Sequence, residues 1–147
     1  MLTNELLLLD THVWIWVAEN VTAKLSASCA ETIRLASRQR RLLVSAISVW
    51  EVAILDVRKR ISLYTNCLDW VYLGLKGQNI ELVDLSPEIA IDSTRLPDGF
   101  HADPADRILI ATARNRNATL VTADRAILEY SRAKHVRVLD ARAREGL

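Results

Sequence analysis

The sequence predicts a three-layer α/β fold built on a parallel sheet of five strands. Short apolar runs alternate with stretches of helical periodicity, the pattern of successive strand–helix–strand units. The first run is apolar without interruption, as in a strand covered on both faces. Acidic residues also recur where an apolar run gives way to a helix, which suggests one loaded edge of the sheet.

The elements follow in order. The first strand is placed at 5–9, where Leu6 to Leu9 form an unbroken apolar run. A helix runs from Thr11 to about Glu19. Residues 26–39 predict a second helix, with Ala30, Ile33, Leu35 and Ala36 apolar and Arg34, Arg38 and Arg40 on the outside. The second strand is placed at 42–47. A helix over 49–60 ends in the basic "RKR", which suits the negative end of a helix dipole. Another helix covers 66–77 and stops near Gly77. "IELVDL" (80–85) is the third strand, and Pro87 opens a short helix to about Arg95. "LPDG" (96–99) is a turn. Residues 104–116 predict a helix with Pro104 at its first position, where a missing N–H costs nothing. "TLVTA" (119–123) is the fourth strand, 125–131 a short helix, "VRVLD" (136–140) the fifth strand.

The chain of 147 residues is read as one domain, 1–147, long enough for a real core. Half of it is hydrophobic and 25% charged, as in ordinary globular proteins. The net charge is +1, so setting aside four carboxylates leaves +5 on the remainder. A polyanion would meet that remainder once cations neutralise the acids. Cys29 and Cys67 lack metal-ligand spacing and read as reduced, packed thiols of a cytoplasmic protein. The apolar start is too short for a signal peptide, and no segment reaches membrane-spanning length.

Four acids carry the functional argument: Asp10, Glu51, Asp106 and Asp124. Each has a structural explanation of its own. Asp10 can cap the helix that begins at Thr11, and Asp124 the helix at 125. Ser48-x-x-Glu51 is a capping-box pattern, with Glu51 folded back on the Ser48 amide. Asp103-Pro104-Ala105-Asp106 is a helix start: a cap, a proline, then an acid in the first turn. Independent caps, however, could fall at either edge of a fold and could use Ser, Thr or Asn. Here acids collect at the carboxyl side of the strands, where α/β folds keep their ligand crevice. Like charges gathered there raise one another's pKa. A divalent oxygen-seeking ion offsets that cost, and with no Cys/His set available Mg²⁺ or Mn²⁺ suits the ligands. Carboxylates around such ions are equipment for phosphodiester hydrolysis.

The segments "LLLDTHVWIW", "SAISVWEVAI", "HADPADRILIATA" and "TLVTADRAI" resemble, in order, the motifs of PIN-domain ribonucleases, especially the VapC-type toxins of toxin–antitoxin pairs. The resemblance spans residues 6–127. It implies strand order 3-2-1-4-5 and an endoribonuclease dependent on Mg²⁺ or Mn²⁺. It also implies arrest of translation, structured RNA such as tRNA as substrate, a VapB-type antitoxin as partner, and a homodimer or a heterotetramer or higher complex with the antitoxin. Residue by residue, Asp10, Glu51, Asp106 and Asp124 match the family acids. Asp103 matches an additional acid, Thr122 a hydroxyl near the metal, and Thr11 and Ser48 neighbouring hydroxyls. Asp10, Asp106 and Asp124 would hold the ion; Glu51 would complete its sphere through water or act as general base. After Asp124 the chain lacks the aromatic often found in the family.

Several other residues are weighed alongside. Arg107 and Arg125 each follow a site acid and could contact substrate phosphate. His12 and His101 flank the acids and could serve as zinc ligands or general acids, but His12 is expected to pack on the first helix, and His101 to cap or hydrogen-bond beside the 104 helix. Arg114 and Arg116 suit their helix C-terminus. Arg38, Arg40 and Arg41 form a basic cluster, a solvated helix end with some capacity to guide RNA. Trp50 is expected in the core. Trp14 and Trp16, two apart on a helix, cannot share a face, so one should be partly exposed. The first helix and the 26–60 region are expected to form the antitoxin groove.

Other readings fit less well. A haloacid-dehalogenase-like phosphatase needs a second Asp two residues after the first, where this chain has His12. Flap-type nucleases are much longer. A response-regulator receiver would show paired acids after its first strand and a lysine after its last. A non-catalytic RNA- or protein-binding module of the same fold should have shed some of the four acids.

Overall fold

A computed structural model describes residues 4–100 and 103–143. Five strands form one sheet in the order β3-β2-β1-β4-β5, and every neighbouring pair is parallel. The strands are β1 (Leu7–Leu9), β2 (Leu42–Ser45), β3 (Ile80–Val83), β4 (Thr119–Thr122) and β5 (Val138–Asp140). The helices are α1 (Thr11–Ala18), α2 (Ala27–Arg38), α3 (Ala46–Val57), α4 (Cys67–Lys76), α5 (Pro87–Ser93), α6 (Pro104–Arg116) and α7 (Arg125–Tyr130). Short 3₁₀ turns lie at Thr22–Lys24, Pro97–Gly99 and Ser131–Ala133.

The central strands β1, β2 and β4 are wholly buried, while β3 and β5 at the edges are only partly covered. Side chains alternate between the faces. Leu7, Leu9, Leu42, Val44 and Val121 point into a core closed by Trp14, Ile33 and Trp70. Leu8, Leu43 and Leu120 point the other way, onto Leu109, Ile110 and Ile127. Helices therefore cover both faces, which is why these strands read as unbroken apolar runs.

Trp14 and Trp70 are fully buried and meet edge to face, with ring centroids 5.1 Å apart. Each indole N–H finds an acceptor, Trp14 on the Gly74 carbonyl at 3.1 Å and Trp70 on Glu19 at 2.9 Å. Trp16 is partly exposed beside His12, as the spacing required. Trp50 departs from expectation. It is 56% exposed on the outer face of α3, because the inward positions of that helix are Ser48 and Val52.

Helix boundaries follow from caps. Ser26, Asn66 and Ser86 each accept a backbone N–H three residues ahead and start α2, α4 and α5. Asn117 ends α6 in the left-handed region, with φ 52°, a conformation asparagine tolerates. The third helix begins at Ala46, not 49, because Ser45 caps it by accepting the Ile47 amide at 3.1 Å. The second strand accordingly ends at Ser45. No helix among the described residues is long and apolar enough to cross a membrane. Both cysteines are free thiols, with Cys29 buried.

Candidate active site

Register decides where the acids gather. Leu9, Val44 and Val121 lie side by side as the last wholly internal residues of β1, β2 and β4. The residue that follows each of them, Asp10, Ser45 and Thr122, therefore stands at the carboxyl edge. The chain runs from β1 outward to β2 and β3, then crosses back to β4, so the topology switches between β1 and β4. Asp10 and Thr122 flank that switch, and the Asp10 amide is held by the Val121 carbonyl at 2.9 Å.

Asp10 is buried and caps α1. Its Oδ1 accepts the Thr11 amide and its Oδ2 the Thr122 hydroxyl, both at 2.6 Å. Burial raises its pKa, and Asp124 adds to the rise; the two hydrogen bonds and His12 oppose it. Asp124 caps α7, its Oδ1 accepting the Ile127 amide at 3.1 Å, while its own amide donates to Thr122 Oγ1 at 3.0 Å. Thr122, fully buried, thus ties Asp10 to Asp124.

Glu51 lies in the second turn of α3, not at a helix start. Its Oε1 accepts the Thr11 hydroxyl at 2.5 Å. The expected capping box is absent: Ser48 sits inside the helix, fully buried, and its hydroxyl meets Thr11 Oγ1 at 2.8 Å. The box failed because the helix starts one turn earlier, at the Ser45 cap. The position of Ser45 directly after the apolar run was the usable signal. Burial raises the Glu51 pKa, Thr11 lowers it, and Asp10 and Asp103 raise it further.

Asp106 sits in the first turn of α6 and accepts no described hydrogen bond. Its carboxyl is pushed up to about 7, first by burial and then by Asp124, Asp10, Glu51 and Asp103. All four predicted acids therefore share one field at one sheet edge. Asp103 is exposed and caps α6 through the Ala105 amide at 2.9 Å, so it belongs to the rim. The N-termini of α1, α6 and α7, where Asp10, Asp106 and Asp124 sit, offset part of the repulsion.

Among the described residues, no three His, Cys, Asp or Glu side chains stand close enough together to hold a metal ion between them. The donors are nonetheless carboxylate and hydroxyl oxygens, which suit a hard cation. Mg²⁺ keeps several waters and takes only one or two carboxylates directly, so it does not need all four acids within bonding reach.

Arg107 is half-buried beside Asp106 with no described partner, and Arg125 is exposed after Asp124. His12 is exposed, its ring 6.4 Å from that of Trp16. The expectation for His101 lies outside the described residues. The basic cluster divides: Arg38 and Arg40 are exposed, but Arg41 is buried just before β2, bonding Gln39 at 2.6 Å and the Glu5 carbonyl. Arg41 marks the amino edge of the sheet, opposite the acids. Arg114 and Arg116 do more than answer a helix dipole: they pair with Asp92 at 3.3 Å and Glu81 at 2.8 Å.

A three-layer α/β domain with clustered carboxylates at the switch point of its parallel sheet defines the class. The chain belongs to the PIN domain family, whose model matches residues 7–133. It is 34% identical to Ribonuclease VapC22 of Mycobacterium tuberculosis (strain ATCC 25618 / H37Rv) over 131 residues, 89% of this chain and 96% of that protein. Solved structures share the fold. VapBC2 from Rickettsia felis, bound to a DNA fragment from its promoter, superposes with a TM-score of 0.68 at 16% identity, covering 92% of this chain and 98% of that one. DNA-bound VapBC from Salmonella typhimurium gives 0.63 at 20% identity, with the same coverage.

Proposed function

We propose that this chain, working as one PIN domain, is a Mg²⁺- or Mn²⁺-dependent endoribonuclease and the toxin of a toxin–antitoxin pair. The observation that carries the reading is the gathering of Asp10, Glu51, Asp106 and Asp124 at one sheet edge, where burial first and the neighbouring acids second push Asp106 up to about 7. Such repulsion is costly unless a cation or a reaction makes use of it. The similarity to a ribonuclease supports RNA as the substrate.

Asp10, Asp106 and Asp124 would hold the ion. When bound, it supplies an activated water and neutralises charge growing on the phosphate oxygens. Thr122 keeps Asp10 and Asp124 in place. Glu51 aligns the attacking water or accepts its proton. The water oxygen bonds to phosphorus, the bond to the leaving ester oxygen breaks, and that oxygen takes up a proton from solvent. Arg107, with no side-chain partner among the described residues, would meet a substrate phosphate.

A VapB-type antitoxin is the partner suggested by the related VapBC assemblies. A groove of about 610 Å³ along α2, with Val17, Leu25 and Ile33 on its walls and Glu31 and Arg34 also lining it, offers a mixed apolar and charged seat. Homodimerisation, a heterotetramer with antitoxin, action on tRNA, inhibition of translation and a cytoplasmic location belong to the same reading.

The test is cleavage of a tRNA pool by purified protein with Mg²⁺ or Mn²⁺, beside Asp10→Asn and Asp106→Asn. The wild type should cut and both variants should lose activity, as should the wild type in EDTA. Equal cleavage by the variants would sink the mechanism. Induction in a bacterial host should arrest growth, and co-expression of the neighbouring antitoxin should relieve the arrest.

A further inference from the structure

Glu51 is held by a pair of buried hydroxyls from two different helices. Thr11 Oγ1 lies 2.5 Å from Glu51 Oε1 and 2.8 Å from Ser48 Oγ. A threonine hydroxyl has one proton, so it cannot donate to both. With Glu51 as carboxylate, which can only accept, Thr11 must donate to Glu51 and Ser48 must donate to Thr11. The order Ser48→Thr11→Glu51 is thus fixed by proton counting.

The arrangement is unusual for Ser48. A serine inside a helix ordinarily points to solvent or bonds the carbonyl one turn back. Ser48 does neither: it is fully buried, and its described bond crosses to α1. Ser48 and Glu51 are three residues apart and share a face of α3, while Thr11 opens α1 beneath them. Thr11 is itself buried, 1% exposed. Glu51 thereby has one oxygen tied and, among the described residues, one oxygen without a bond.

We propose that Thr11, oriented by Ser48, is the positioning residue that commits one oxygen of Glu51 to the protein and presents the other to water. Glu51 then acts through a water molecule at the site and does not clasp a cation with both oxygens. The inference rests on the proposed nuclease function and refines the part played by one of its acids. Free rotation of the carboxylate would instead let both oxygens close on a cation placed among the acids.

The experiment compares wild type, Thr11→Val, Thr11→Ser, Glu51→Gln and Thr11→Val/Glu51→Gln. Rates are read as cleavage of a tRNA pool with Mn²⁺, and Mn²⁺ affinity by electron paramagnetic resonance. Thr11→Val should lower kcat by about 10- to 100-fold, the cost of misplacing a reacting group, with KM nearly unchanged. Its Mn²⁺ affinity should stay within about twofold of wild type, because the cation's own ligands are untouched. The double variant should fall no further than Glu51→Gln, since the two residues act as a unit. Thr11→Ser should restore most of the rate.

Carbon-13 resonances of the glutamate carboxylates give a readout independent of activity. The Glu51 signal, identified by its loss in Glu51→Gln, should move in Thr11→Val and return in Thr11→Ser. Should Thr11→Val fold poorly, Thr11→Val/Ser48→Ala removes the stranded serine hydroxyl and carries the same expectations. The proposal is overturned by wild-type rates in Thr11→Val, by Mn²⁺ affinity falling in step with rate, by additive losses in the double variant, or by an unmoved carboxylate signal. A wild type that cuts no RNA would overturn the nuclease reading instead, and the carboxylate signal would still decide the contact.

Discussion

The Thr122 hydroxyl donates to Asp10 Oδ2 at 2.6 Å while accepting the Asp124 amide at 3.0 Å. One buried side chain thereby joins the end of β1 to the start of α7. It fixes two acids that are 114 positions apart in the sequence. The bond to Asp10 also limits the rise in its pKa that burial causes.

Removing that hydroxyl should be felt in stability as well as activity. Thr122→Val keeps the shape but leaves the Asp124 amide without its acceptor. That amide is only part-buried, so the loss should lie near the lower end of the range, about 1–3 kcal/mol, that a buried unsatisfied donor costs. Denaturant unfolding should show a loss of that order for Thr122→Val and a smaller one for Thr122→Ser. Equal stability of Thr122→Val and wild type would mean the bond adds nothing.

The raised acids make a pH prediction whose sign is fixed. Asp106 titrates at about 7 in the native state against an ordinary 3.8. Between those values the native chain binds a proton that the unfolded chain has released. Stability of the metal-free protein should therefore decline as pH rises from about 4 to about 7. Asp10 and Glu51 are raised as well and push in the same direction. A bound cation reverses the penalty, so Mn²⁺ should raise Tm more at pH 8 than at pH 5. Equal shifts at both pH values, read by calorimetry, would contradict the shared field.

Asp106 and Asp103 should separate cleanly. Asp106→Asn removes a repelled charge, so at pH 8 without metal it should raise Tm by about 2–4 °C per kcal/mol gained. It should also cost about 10²-fold or more in cleavage. Asp103→Asn keeps a good helix cap and should lose roughly tenfold or less. Parallel melting and cleavage assays check both; similar activity losses would place Asp103 with the inner acids.

Away from the site, Gly74 offers a control on the core. A Cβ there would stand 3.4 Å from Trp14 Nε1 and 3.5 Å from Ala18 Cβ, ordinary contact distances. Glycine within a helix costs about 0.5–1 kcal/mol relative to alanine. Gly74→Ala should therefore stabilise by about that amount in urea unfolding. A loss would show that the Trp14–Gly74 hydrogen bond cannot absorb the added methyl.

Much of this molecule is legible in its sequence because the signals are local. Unbroken apolar runs marked the buried strands, and Asp103-Pro104 marked the first turn of α6. The acid at Asp10 was visible because it directly follows β1. Where local signals compete, the sequence misleads. Ser48-x-x-Glu51 satisfies a capping pattern, yet Ser45 takes the cap and leaves Ser48 free to bond across to α1. Trp50 reads as core by composition, yet the periodicity of α3 turns Val52 inward and Trp50 out.

By itself, then, the sequence determined the alternation of elements, the parallel sheet and which acids fall at strand ends and helix starts, since these depend on periodicity and on residue type. Only the tertiary structure decided which groups touch. Strand register set Asp10 beside Thr122, and the packing of α1 on α3 brought Thr11 against Glu51. Those contacts span 112 and 40 residues, and nothing within a local window of sequence encodes them. The reason is geometric: a hydrogen bond is made or lost within a fraction of an ångström, a precision that chain folding alone supplies.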